Sequence, residues 1–486
     1  MKTVVTRIFL MLLVVTFVLT AFAGCKEEPA PTPQSTETLA PREEELTDNL
    51  PEKDMEDFEL RFYTNNPQKY DWADVVLAPE DYTGEEIYDT MFDRNSYISE
   101  RFNCFITVTQ EGSTSLVNDA KIQNMALSGD STTSPHVVMH FDKWVMNSAQ
   151  YFVDWNDVPY VSIGEEYWNP GVSGLFNIRD KQVAISGSFS LSVLSRTIVL
   201  LFNKDMYEDY YGDISSMYGN VTNNEWTIEK FYELSDGVVN NPDEIWDDTD
   251  QFGVSSAYKE LYTVLMVGSD IHFLEKDETG ILMFSLPGDN YAIDKMQRIL
   301  QLCQDYDVHY TTSADVHEPD PKQCFENNRT LFAVRELFKI PSVRSQMEQE
   351  FGILPAPKYD TDQKEYRNIS FAGEMACLLI TVKEEELENI GILMEALSFD
   401  SQQKLIPIYK DKLLKTRFAS DEDSRAMLDL IFNTTVSELG INVFEDIVSV
   451  PLIQAIYMPK KDVISSTLSG MTSVRTEISK MLEKIK

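Results

Sequence analysis

IVLLFNKDMYEDYYG, residues 198–212, and NEWTIEKFYELS, residues 224–235, decide the fold. Thr197–Phe202 is an apolar run that reads as a strand, and Asn224–Val239 contains a capped amphipathic helix beginning near Thr227. The same alternation extends in both directions. Upstream, Leu60–Tyr63 reads as a first strand ending in the polar turn YTNN, and Glu85–Phe102 as a helix with apolar Ile87, Met91, Ile98 and Phe102. Phe105–Val108 alternates as a strand. Leu116–Leu127 is helical up to the breaker Ser128-Gly129-Asp130. His136–Phe141 is a buried strand with Asp142 just beyond it, and Val183–Ser192 is strand-like. Helices and strands continue to alternate up to Lys486 without an internal repeat, which is the signature of α/β layers.

The chain opens MKTVVTRIFLMLLVVTFVLTAFAGC. Lys2 and Arg7 precede an apolar run from Ile8 to Ala23, and small residues lead into Cys25, the layout of a secretory signal over 1–24. The run is shorter than the ~20 apolar residues of a spanning helix. Ala-Gly-Cys resembles the lipobox of bacterial lipoproteins, with Phe22 where Leu is preferred. That resemblance implies a diacylglycerol on the Cys25 thiol and cleavage before it. Residues 26–54 are dominated by Pro, Glu, Thr and Ser and hold almost no large apolar residue, so the expectation for 25–54 is a lipidated, disordered tether. Such a segment reaches roughly 30 Å and holds the body off the lipid.

The remaining body, about 430 residues, exceeds one ordinary core, so two lobes are expected. The formal net charge is −39, with 80 acidic residues against 41 basic ones. A surface this acidic repels phosphate backbones, which excludes nucleic acid as a partner, and offers no basic patch to anionic lipid head groups. Cys104, Cys303, Cys324 and Cys377 follow Cys25 at irregular spacing without a CxxC, so buried thiols are expected; Cys303 and Cys324 are the one candidate pair.

Several segments resemble extracellular solute-binding proteins of ABC transporters, the class that includes the maltose-binding protein. In that family an apolar strand leads to Asn-Lys, a helix, and a Trp-Thr turn opening another helix. Here these are Phe202, Asn203, Lys204, Trp226 and Thr227. FENNRTLFAVRELF (325–338) and FGILPAPKYDTDQKEYRN (351–368) are similar to the strand carrying a cleft aromatic and the segment that leads to a lobe crossing. DYTGEEIYDTMFDRNSYISERFN (81–103), YFVDWNDVPYV (151–161) and DKLLKTRFASDEDSRAMLDLI (411–431) resemble a long subgroup from Gram-positive bacteria. The chain departs from that subgroup at Tyr167-Trp168, where paired tryptophans are usual, and near Leu378–Val382. The resemblance implies a two-lobe periplasmic-binding-protein-like α/β fold of type II with lobes joined by hinge segments. Lobe one is expected at 55–185 and 372–420, and lobe two at 186–371 and 421–486. It also implies a lipid-anchored monomer on the outer face of the cell membrane that delivers a mono- or oligosaccharide to permease subunits.

Motifs of catalysis are scarce. His136 and His140 are four apart, yet PHVVMHF reads as a strand and lacks an HExxH glutamate, so no metal is expected. No GxSxG elbow, GxGxxG turn or P-loop occurs. DDTDQFG (247–253) has Phe252 where a calcium loop needs oxygen, and reads as a polar turn. The expectation is therefore a binding protein without cofactor. Two rivals stand beside it: a surface glycan-processing enzyme, which needs two facing carboxylates, and an adhesin that binds glycans without a transporter.

A sugar presents hydroxyl edges and flat C–H faces, so its cleft combines polar side chains with aromatic rings. In a doubly wound sheet those groups follow strands. The candidates are Asn65 and Asn66, Asp142 and Trp144, and Ser188 and Phe189 near the first lobe crossing. They continue with Tyr258 and Tyr262, with Glu336 and Phe338, where the resemblance places the cleft aromatic, and with Phe371 and Glu374 near the second crossing. Trp144 and Phe338 lead this set, while Trp155 and Trp226 are expected to pack structurally.

Overall fold

The structure is a computed structural model that describes residues 47–65, 77–111, 117–242, 249–256, 260–277, 282–284, 289–311, 321–371, 373–415, 422–445, 448 and 474–485. The unit Asp48–Lys486 carries the fold. Cys25, the signal and most of the expected tether lie outside the described residues, as do Asn66 and Tyr258.

The strands of the two larger sheets are, in chain order, β1 (Phe58–Thr64), β2 (Cys104–Gln110), β3 (Val137–Phe141), β4 (Ile198–Asn203), β5 (Phe252–Ser256), β6 (His309–Thr311), β7 (Thr330–Glu336), β8 (Phe351–Leu354) and β9 (Glu374–Leu378). Sheet one has the order β9-β3-β1-β2, and sheet two β6-β5-β7-β4-β8. In sheet one β1 runs parallel to β2 and β3, while β9 is antiparallel to β3, with Glu374 opposite Phe141. In sheet two β7 runs parallel to β5 and antiparallel to β4, with Glu336 opposite Ile198. The mixture follows from the connections: β1 and β2 are joined through the helix α1 (Glu86–Phe102), whereas β9 arrives from sheet two. Parallel neighbours require such a crossover.

Local sequence explains these elements. Leu60, Phe62 and Thr64 are the buried positions of β1, every second residue, so one face meets the core. β3 and β4 are buried at every position, as strands covered on both faces must be. The helix α2 (Asp119–Ser128) is capped by the Asn118 side chain, which accepts from the Lys121 amide, and ends at Gly129 with φ +65°. The start expected at Leu116 therefore moves into the helix by the width of this cap. The helix α3 (Asp142–Val145) is a single turn directly after β3. Thr227 is the N-cap of α4 (Ile228–Asp236), as the sequence reads. The long helix α5 (Leu387–Lys415) packs on α1 and β1, whereas α6 (Glu422–Asn433) packs on β8.

Among the described residues two chain segments cross between the sheets, and they run side by side; the crossing expected near 420 lies outside the described residues. Ile185 bridges to Ala376 and Thr197 bridges to Ser370, both antiparallel, and the Phe371 amide donates to the Arg196 carbonyl at 3.1 Å. The strand expected at Val183–Ser192 is this crossing. Its backbone meets a neighbour at one bridge and then turns into a short helix at Ser192, so apolar composition there reflects threading through the core. Residues 48–54, expected in the tether, are held on the body instead. Arg101 pairs with Asp48, Lys53 reaches Glu388 at 2.6 Å, and the next amide, that of Met55, donates to the Phe102 carbonyl at 2.8 Å.

The tryptophans read as structural are fully buried. Trp155 donates its indole N–H to the Ala376 carbonyl at 3.1 Å, and Trp226 to that of Pro355 at 2.9 Å. Tyr167 and Trp168 both donate to the buried Glu395 carboxylate on α5, at 2.6 and 2.7 Å. All four described cysteines are buried free thiols, so Cys303 and Cys324 do not pair. Among the described residues no helix is long and apolar enough to cross a membrane.

Candidate ligand-binding site

The ends of β1, β3 and β7 and the two crossings bring together side chains from both sheets. From sheet one, α3 contributes Asp142, Lys143 and Trp144. From sheet two, the end of β7 contributes Glu336, followed by Phe338. Phe371 lies in the second crossing and Arg196 at the end of the first. Trp144, Phe338 and Phe371 are half-buried, which leaves part of each ring accessible.

Two cations connect the rings. Lys143 Nζ stands 5.4 Å from the Trp144 ring centre and 5.8 Å from that of Phe371, and pairs with Glu445 at 3.1 Å. Arg196 donates through Nε to the Phe371 carbonyl at 2.7 Å, pairs with Glu336 at 3.1 Å, and places its guanidinium 5.7 Å from the Phe338 ring centre. Trp144, Lys143, Phe371, Arg196 and Phe338 thus form one chain of contacts from sheet one to sheet two. Cation–ring contacts of this kind fix ring orientation at a modest energy of about 0.5–1 kcal/mol each.

Beneath this chain lie buried carboxyls. Asp142 accepts from Asn442 at 2.8 Å, and its backbone amide donates to the Gly373 carbonyl at 2.9 Å. Asn442 donates again to the Ser370 carbonyl at 2.7 Å, so one amide ties β3's end, the second crossing and the π-helical turn Leu439–Val443. Burial pushes the Asp142 carboxyl up to about 7, against the opposing pull of Asn442. Glu374 accepts from Asn65, its amide donates to Ser192 Oγ at 2.8 Å, and burial pushes its carboxyl up to about 7. Glu438, capping the π-helical turn, is pushed up by burial to about 7 as well. Burial disfavours the charged form of each acid, while Asn65 and Asn442 supply part of the lost hydration.

The sequence-based candidates divide clearly. Asp142, Trp144, Glu336, Phe338, Phe371 and Glu374 converge at this place, and Asn65 lies below it, buried between Glu374 and the Val117 amide. Phe189 and Tyr262 are corrected to core residues, each 1% exposed. Phe189 packs against Phe62 and Trp168 at 6.4 and 6.1 Å between ring centres, and Tyr262 sits in a helix buried at all positions from Leu261 to Gly268. Neither ring can reach a ligand without unfolding its surroundings. Ser188 faces α5 instead, donating to Gln402 at 2.6 Å. Lys143, Arg196, Asn442 and Glu445 join the site without having been singled out. The one signal for Arg196 is a basic residue almost adjoining an apolar strand.

His136 and His140 take structural positions. His136 stacks on Phe58 at 5.5 Å beside Arg61, and His140 is fully buried with Asp119 at 3.3 Å. Burial, and then Arg61, push His136 down to about 3. Among the described residues no three His, Cys, Asp or Glu side chains are grouped to hold a metal ion.

No protein-family profile matches the sequence, and no curated protein matches it. Solved structures do match in three dimensions. A cyclic α-maltosyl-1,6-maltose binding protein from Arthrobacter globiformis superposes with a TM-score of 0.57 over 88% of this chain and 99% of its own, at 14% identity. The fold is that of the ABC substrate-binding proteins. An ABC substrate-binding protein from Listeria monocytogenes, in complex with cycloalternan, gives 0.55 over 87% and 99% at 11% identity. A cyclo/maltodextrin-binding protein complexed with maltotetraose gives 0.54 over 90% and 99% at 12% identity. This likeness establishes the two-lobe α/β architecture for the chain.

Proposed function

We propose that this chain captures a carbohydrate outside the cell and delivers it to an ABC importer. One observation carries the reading: Trp144 from sheet one and Phe338 from sheet two are linked through Phe371, Lys143 and Arg196 beside both crossings. Half-buried rings offer flat apolar faces to sugar C–H groups, and the charged side chains between them offer donors and acceptors to hydroxyls. The structural neighbours, which bind cycloalternan, cyclic maltosyl-maltose and maltotetraose, support a carbohydrate ligand. A site whose walls belong to two lobes tightens when they close, so the ligand selects the closed form that a permease would read. The closing bodies are 55–185 with 372–420, and 186–371 with 421–486.

Binding without turnover completes the reading, and the chain acts as a receptor rather than an enzyme. The Ala-Gly-Cys exit supports a lipid anchor at Cys25 and a place on the outer face of the cell membrane. Calorimetric titration with maltotetraose, a cyclic maltodextrin and other oligosaccharides tests the proposal. Saturable binding that weakens in Trp144→Ala and in Phe338→Ala is expected. Normal affinity in both variants, or no binding across a broad glycan panel, refutes it.

A further inference from the structure

A cavity of about 280 Å³ lies apart from the rings and shares none of their side chains. Ser188 and Ser190 of the first crossing, Gln402 and Ile406 of α5, and Phe432 and Asn433 at the end of α6 line it. Ser188 and Ser190 are buried, at 4% and 8% exposure, and their hydroxyls are fixed: Ser188 donates to Gln402 at 2.6 Å and Ser190 accepts from the Ser192 amide at 3.2 Å. Hydroxyls and amides therefore stand beside an aliphatic side chain and a ring. Glu166 and Lys410 add one charge of each sign, and Lys410 lies 4.8 Å over the Phe432 ring, so the cavity has no net charge to hold an ion.

We infer that this cavity is a second ligand site, for a neutral polyol of monosaccharide size. Its volume is near the lower end of small-molecule sites, about 300 Å³. Fixed hydroxyl and amide groups match the hydroxyl edge of such a molecule, and Ile406 and Phe432 match its C–H face. The cavity's walls also come from helices on both large sheets, since α5 packs on β1 of sheet one and α6 on β8 of sheet two. A polyol that fits one lobe arrangement better than another shifts the balance between them, and by linkage the factor by which it changes affinity at the rings equals the factor by which a ligand at the rings changes its own.

The site stands independently of what the rings bind, and its test keeps the two apart. Saturation-transfer NMR on the full chain uses D-glucose and myo-inositol as probes. Transfer to at least one probe is expected in wild type and in the double variant Trp144→Ala, Phe338→Ala. It is expected to vanish in Ser190→Trp, which fills the cavity, and affinity is expected to fall about tenfold in Gln402→Ala, which removes one amide partner. If Ser190→Trp fails to fold, Gln402→Ala decides. Absence of transfer to both probes overturns the inference. So does transfer that is lost with the rings and kept in the Gln402 variant.

Discussion

Replacing Glu374 with Gln isolates one buried charge at the crossing. Glu374 is 7% exposed, opposes Phe141 across the sheet, and accepts from Asn65. Burial raises its carboxyl from an ordinary 4.5 to about 7, with Arg196 pulling the other way. A carboxyl whose folded value is raised binds its proton more tightly in the native state, so native stability falls as pH rises from the unfolded value through the folded one. Between about pH 5 and about pH 8 this one group removes roughly 2–3 kcal/mol. A carboxamide keeps an acceptor for Asn65 and does not titrate. Glu374→Gln is therefore expected to gain that much relative to wild type across the interval. Urea unfolding at several pH values measures it, with the denaturant slope checked for constancy. Asp142 and Glu438, both also raised to about 7, leave a residual pH slope in the variant. Parallel pH profiles for the two proteins, or a variant that loses ground toward pH 8, refute the assignment of a burial-strained carboxylate here.

Trp144→Ala and Phe338→Ala are each expected to weaken carbohydrate binding by about 1–3 kcal/mol, or roughly 5- to 150-fold, in calorimetric titration, with little change in melting temperature. Phe189→Ala is expected to do the reverse, costing ~3–5 kcal/mol of stability in urea unfolding because it empties space between Phe62 and Trp168. Small-angle scattering should record a smaller radius of gyration with bound oligosaccharide than without; an unchanged radius speaks against lobe closure. Cys25→Ser is expected to abolish labelling by a fatty-acid probe in cells, and continued labelling would remove the lipid anchor from the reading.

The parts of the fold that were legible are those whose pattern is local. β1 shows its face through alternate apolar residues, β3 and β4 through runs that are apolar save His140 and the terminal Asn203, and α4 through its Thr227 cap. The crossing at Val183–Ser192 misled because a segment threading between two lobes needs the same apolar residues as a strand. Only its neighbours decide which it is, and here the neighbour is a single position of β9, Ala376, which bridges to Ile185. The limit of the tether misled for a related reason. Its polar composition continues through 48–54, but Asp48 and Lys53 find Arg101 and Glu388, partners that composition does not reveal.

The site divides along the same line. Asp142, Trp144, Glu336 and Phe338 were reachable because they follow strands, and strand ends in an α/β sheet are where ligand groups collect. Phe189 lies within the strand-like run Val183–Ser192, and nothing in its local sequence shows that its ring is closed over. Trp168 and Phe62 close over it, while the Phe338 ring meets Arg196 and Lys339 and stays half open. Asn442 is the residue furthest from any sequence rule. It occurs in a π-helical turn, and such turns recur at functional positions because the extra residue displaces a side chain from the helical repeat. Here that side chain joins Asp142 and the Ser370 carbonyl, 300 and 72 residues away in the chain. Without it the Asp142 carboxyl would be buried against the Lys143 amide alone among its hydrogen-bond donors, so the position of Trp144, two residues on in the same helical turn, rests on a residue 300 positions away in the chain.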